Sequence, residues 1–99
     1  MGKVDWTDEA SRWLRRIYEH IAGDDSGAAM RTVRGILEKA QLLGRFPELG
    51  QQYGGQTERH IRVLRYGHYR IAYLVKSGGD IDVLGVFHDR LDIRRYLGR

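Results

Sequence analysis

The sequence predicts an α+β fold: an N-terminal helix hairpin packed on a small antiparallel β-sheet, closed by a short C-terminal helix. Between residues 8 and 43 apolar side chains recur at three- and four-residue steps in two blocks, split by a run of Gly, Asp and Ser. That is the spacing of two amphipathic helices. From residue 59 to residue 87 the pattern changes to short runs rich in Val, Ile and Tyr, separated by glycine-bearing turns, which is hairpin chemistry. The length of 99 residues, with 41% hydrophobic and 30% charged content, suits a single folded domain over residues 1–99 with a thin core.

A short strand is expected at Lys3 to Trp6. Thr7 then stands where a helix N-cap belongs, with Asp8 and Glu9 in the first turn opposing the helix dipole. Ala10, Trp13, Leu14, Ile17, Tyr18 and Ile21 form one apolar stripe. Gly23 to Gly27 supplies the turn and the next cap, and Ala29, Val33, Ile36, Leu37, Ala40 and Leu43 make a second stripe that stops before Gly44. Two such helices joined so closely form an antiparallel pair. Gly44 to Thr57 is irregular, with Phe46 and Leu49 as its expected anchors. Three strands follow as a meander, Arg59 to Leu64, Tyr69 to Val75 and Ile81 to Phe87, with turns at Arg65 to His68 and Ser77 to Asp80. Strict alternation along the last strand puts Ile81, Val83, Gly85 and Phe87 on one face and Asp82, Leu84, Val86 and His88 on the other. Both faces are apolar, so both are expected to be covered, at least in part. Leu91, Ile93, Tyr96 and Leu97 then suit a terminal helix lying on the sheet.

Composition narrows the chemistry. The chain has no cysteine, which rules out disulfides, thiolate metal sites and cysteine nucleophiles. No apolar run approaches the ~18 residues of a spanning helix, and the first residues lack the apolar core of a secretion signal. A cytoplasmic protein without membrane contact is expected. The histidines and aspartates match no metal-ligand spacing, and no phosphate-binding glycine motif or nucleophile elbow occurs. Neither a metal nor a cofactor is expected.

The net charge is +4, and its distribution says more than its size. Residues 1–50 carry eight Lys/Arg against eight Asp/Glu, whereas residues 51–99 carry nine against five. Arginine supplies 14 of the 17 basic side chains, and its planar fork suits bidentate contact with phosphate or carboxylate. The densest stretch, Arg59 to Tyr73, holds Arg59, Arg62, Arg65 and Arg70 and no acidic residue. Alternation prevents all four from sharing one face. Arg62 with Arg70 is one permitted pairing, and Arg65, placed in the turn, is free to face either side. His88 stands at a strand end beside Asp89 and Arg90, where an imidazole can move a proton or bind a phosphate. Trp13 belongs to the apolar stripe and to the core. Tyr96, among Arg94, Arg95 and Arg99, is the tyrosine best placed to meet a partner.

The order W-T-x-x-A, I-Y-x-x-I-A, F-P-x-L-G, R-H-I, Y-R-I-A-Y and V-x-H-x-R resembles the RelE/ParE superfamily of toxins from bacterial type II toxin–antitoxin systems, and is closer to the ParE branch. The likeness runs from about Val4 to Tyr96. Its most specific parts are Tyr69-Arg70-Ile71-Ala72-Tyr73 and Val86-Phe87-His88-Asp89-Arg90. It implies a growth-regulating toxin, of the kind linked to plasmid stabilization, neutralised by a cognate antitoxin. The ParE branch implies DNA gyrase as target, with no bond broken by the toxin itself; Arg59, Arg62, Arg65, Arg70, Arg94, Arg95 and Tyr96 are then the expected contacts to nucleic acid or partner. The RelE branch implies instead a ribosome-dependent mRNA endonuclease, with ribosome and mRNA as partners and Arg70, His88 and Arg90 as catalytic residues. Arg70 would then clamp phosphate, and His88 or Arg90 would act from the strand end. The basic pair that the nuclease branch carries in the preceding strand is replaced here by Ile61 and Val63, with Arg59 and Arg62 offset, which favours the ParE branch. A third reading is a non-toxic interaction module on the same fold.

Overall fold

The computed structural model describes residues 2–54 and 60–97. The order of elements is β1 (Val4–Trp6), α1 (Asp8–Ala22), α2 (Ser26–Gln41), a 3-10 turn (Leu42–Gly44), β2 (Gln51–Gln52), β3 (Ile61–Tyr66), β4 (Tyr69–Val75), a second 3-10 turn (Ser77–Gly79), β5 (Ile81–His88) and α3 (Arg94–Leu97). The strands form one sheet in the order β1-β5-β4-β3-β2. The helix hairpin, the mainly antiparallel sheet and the terminal helix are those expected.

Two pairings go beyond a meander. β1 joins the sheet parallel to β5, with Val4 opposite Ile81 and Trp6 opposite Val83. Three residues make a weak strand alone, and the neighbouring chain reinforces this one. Ile81 N donates to Lys3 O at 2.8 Å, and Lys3 N donates to the Asp80 carboxylate at 2.9 Å. Thr7 caps α1 as expected, its hydroxyl accepting from Ala10 N at 3.1 Å, and the same hydroxyl donates to Val83 O at 2.9 Å. One side chain thus starts the helix and ties it to β5. β2, in the stretch expected to be irregular, pairs Gln51 with Val63 and Gln52 with Arg62 at the opposite edge. Two glutamines carry no strand periodicity, so only the pairing reveals the element.

The loop before β2 is held differently from the expectation. Phe46 and Leu49 are not its anchors; they are 53% and 46% exposed. Tyr73, fully buried on β4, does the anchoring: its hydroxyl accepts from Gly50 N at 2.8 Å and donates to Pro47 O at 2.7 Å. Polar backbone that enters the core must find partners there, and this phenol supplies them. Burial pushes its ionisation upward, against the opposing pull of the Gly50 N–H.

The hairpin between β3 and β4 is tighter than expected. Tyr66 pairs with Tyr69, leaving only Gly67 and His68 in the turn. Gly67 has φ +58 and, among the described residues, no non-glycine residue has positive φ, which fits a two-residue turn led by glycine. Arg65 therefore belongs to the strand, and its side is set.

The alternation expected for β5 also fails part-way. Ala72 pairs with Gly85 but Tyr73 pairs with Val83, so Leu84 is an extra residue and the strand changes phase there. Such a bulge moves every later side chain to the opposite face. Ile81, Val83 and Val86 join Ala10, Ile36, Leu43 and Tyr73 in the core beneath the helices. Phe87 and Ala72 form a second cluster with Ile93, against which Trp13, Leu84, Leu91 and Leu97 pack. Both sheet faces are thus covered, one by the helix hairpin and the other by the segment after β5.

Candidate functional site

The register of the β3–β4 hairpin decides which arginines meet. Arg65 lies opposite Arg70, and Arg62 lies opposite Tyr73. The pairing of Arg62 with Arg70 does not occur, because their strand positions differ in parity. Arg62 instead donates to Gly50 O at 2.7 Å, adding to the hold on the loop before β2. Arg59 falls outside the described residues.

Asp89 gathers the remaining hairpin cations. Arg65 Nη1 contacts both its carboxylate oxygens, at 2.9 and 2.8 Å. Arg70 Nε lies 3.8 Å from Oδ1, and His68 Nδ1 lies 4.0 Å from Oδ2. The hydrogen bond from Arg65, with the charges of Arg70 and His68 adding to it, holds the Asp89 carboxyl below its ordinary range. Nothing local in the sequence marks Asp89 for this role, since its partners are set by register and not by spacing.

Arg70 is largely enclosed, with its side chain 23% exposed. Its Nη2 donates to Leu91 O at 2.7 Å and, at a longer 3.4 Å, approaches the carbonyls of His88 and Asp89. Its Nε is buried without a hydrogen-bond partner among the described residues. The guanidinium therefore fastens the chain leaving β5 to the face of the sheet.

His88 points the other way. It pairs with Tyr69 while Arg70 pairs with Phe87, so Arg70 and His88 occupy opposite faces. The His88 ring lies edge-on to Tyr69 at 5.4 Å and stacked on His68 at 6.2 Å, and its Nδ1 accepts from Arg90 N at 3.1 Å. Arg90 itself is exposed. At the terminus, Arg94 Nε bonds Asp92 at 3.1 Å, and Arg95 is exposed on α3. The Arg94 hydrogen bond holds the Asp92 carboxyl below its ordinary range. Tyr96 is 42% exposed, yet it stacks on Phe87 at 5.3 Å and meets Trp13 edge-on at 5.0 Å. Its ring fixes α3 to the sheet.

On the far face from the helices, a groove of about 760 Å³ runs between the β2–β3 edge and the segment after β5. Arg65, Arg70 and Arg94 line it, but so do Asp89 and Asp92. The hairpin's positive charge is thus largely met within the protein. Cleaving RNA there would require a proton-transfer group beside the phosphate clamp, and His88 is on the other side of the sheet. Among the described residues no group of three His, Asp or Glu side chains could hold a metal ion. No helix among them is long and apolar enough to cross a membrane.

Residues 4–93 match the family model described as "ParE toxin of type II toxin-antitoxin system, parDE". The chain belongs to the ParE toxin family. Among solved structures, this ParE-family chain is similar to one from the chromosomal ParDE toxin–antitoxin system of P. aeruginosa, with a TM-score of 0.73 and 23% identity over 89% of this chain and 96% of that one. It is also similar to a chain of the RelBE2 toxin–antitoxin complex of Mycobacterium tuberculosis, with a TM-score of 0.55 and 23% identity over 88% and 96% of the two chains. At these identities the two structures speak for the fold. No curated protein sequence matches the chain significantly.

Proposed function

We propose that this ParE-family chain halts growth by interfering with DNA gyrase in the cytoplasm, and that a cognate antitoxin neutralises it. The observation that carries the choice of target is the placement of Arg70. The arginine of the Tyr-Arg-hydrophobic motif is engaged with the Leu91 carbonyl and close to Asp89, while His88 faces away from it. A nuclease reading needs Arg70 on a phosphate and an acid or base beside it. The gyrase reading needs neither, only a surface that binds. Exposed Arg95 and Arg94 on the same short helix supply cationic contacts. Arg65, at the rim of the far-face groove, adds to that surface.

The experiment compares two reactions with the same purified protein. Supercoiling by gyrase should be inhibited, with cleaved DNA accumulating, while mRNA in a translating extract stays intact. Transcript ends mapped within translated codons, lost on Arg70→Ala or His88→Ala, would establish the endonuclease reading in its place. Growth unaffected by expression of the chain alone would leave a non-toxic interaction module.

A further inference from the structure

We propose that a second cavity, on the helix side of the sheet, is an anchor site for an acidic segment of a partner protein that inserts one apolar side chain. The inference rests on the reading of this chain as a toxin held by a protein partner. The cavity measures about 320 Å³ and lies between α1 and the ends of β4 and β5. Its walls are apolar: Ile17, Val86 and Leu91, with Trp13 and Tyr69. Its remaining lining residues are Arg16, His20, His88 and Arg90, and no carboxylate is among them. Asp89, next in sequence, is bound to Arg65 across the sheet. The rim of this cavity is therefore positive, unlike that of the far-face groove.

The size and lining suit one leucine- or phenylalanine-sized side chain, with flanking carboxylates reaching Arg16 and Arg90. An apolar group seated there gains from leaving water, and opposite charge steers it in. A second copy of this chain is a poor occupant, since it brings the same positive surface.

Nucleic acid is disfavoured by the aromatic geometry. Base binding requires open ring faces. Arg16 lies over the Trp13 ring at 5.0 Å, and Phe87 and Tyr96 meet that ring at 4.8 and 5.0 Å. His88 is stacked by His68 and met edge-on by Tyr69. The Trp13 and His88 rings in the wall are thus already engaged within the protein.

The test uses the full chain and a fluorescein-labelled 12-residue peptide of glutamates surrounding one leucine, read by polarisation. Replacing that leucine by alanine should weaken binding about tenfold or more, as expected for losing one buried apolar side chain. R16E and R90E together should weaken it at least about tenfold, with circular dichroism unchanged because both residues are exposed. R34E, on exposed α2 surface, should leave binding as it is. No binding, or binding indifferent to the leucine or to R16E/R90E, would overturn the site. So would displacement of the peptide by a 12-nucleotide single-stranded DNA that shows the same dependence on Arg16 and Arg90. Expression of the wild-type chain alone reports separately on the toxin reading. A chain that arrests growth but ignores the peptide sinks the anchor site alone; a harmless chain that binds it as described sinks the toxin reading alone.

Discussion

Arg70 donates from Nη2 to the Leu91 carbonyl at 2.7 Å, so the arginine of the family motif is a clasp between β4 and the chain that leaves β5. The clasp has directional requirements that a guanidinium meets and an ammonium does not. Arg70→Lys should lower stability by about 1.5–3 kcal/mol, the range for hydrogen bonds to a charged group. Hydrogen exchange should then quicken first in residues 91–97. Unfolding in urea, with exchange followed by mass spectrometry, checks both.

The Asp89 carboxyl is held below its ordinary range by Arg65, which fixes the sign of a pH effect. A carboxylate with a depressed folded pKa adds stability above its unfolded pKa, and this is lost as pH falls through the folded value. The stability advantage of the wild type over Asp89→Asn should therefore hold at neutral pH and shrink below about pH 4. Since Arg65 is mostly exposed, raised salt should narrow it as well. Denaturation midpoints measured from pH 7 to pH 2.5 decide this.

Tyr73→Phe removes the hydroxyl that joins Gly50 N to Pro47 O. The ring still fills the core, but a buried N–H loses its acceptor, so the loss should be about 1–3 kcal/mol. Calorimetric Tm measurements test it.

Thr7→Val keeps the shape of the side chain while deleting both the cap on Ala10 N and the bond to Val83 O. A lost N-cap costs about 1 kcal/mol, and the lost side-chain bond to β5 adds to it, the Thr7 N bond to Val83 O remaining. Arg94→Ala is the contrast, because its pairing with Asp92 is exposed and such solvent-screened pairs add little to stability. Urea titrations of the two variants should separate them clearly.

Features governed by local physics were legible along the chain. The helix stripes, the Thr7 cap and the order of the long strands follow from period, propensity and turn chemistry, which act over a few residues. The Tyr69 to Tyr73 and Val86 to Arg90 motifs carried the family for the same reason, being contiguous. Which side chains meet depends on contacts distant in the chain. β2 exists because Gln51 and Gln52 pair with β3, not because glutamines favour strands. The extra residue at Leu84 changes the phase of β5, placing His88 under α1 while Arg70 faces the far groove. The two-residue turn at Gly67 fixes Arg65 opposite Arg70 and brings both to Asp89, 24 positions along the chain from Arg65. A one-residue shift in register inverts a strand's faces, and nothing local in the arginine-rich stretch encodes that shift. The arginines were legible as a set; their division between a clasp, a carboxylate pair and a loop tether was written in the register.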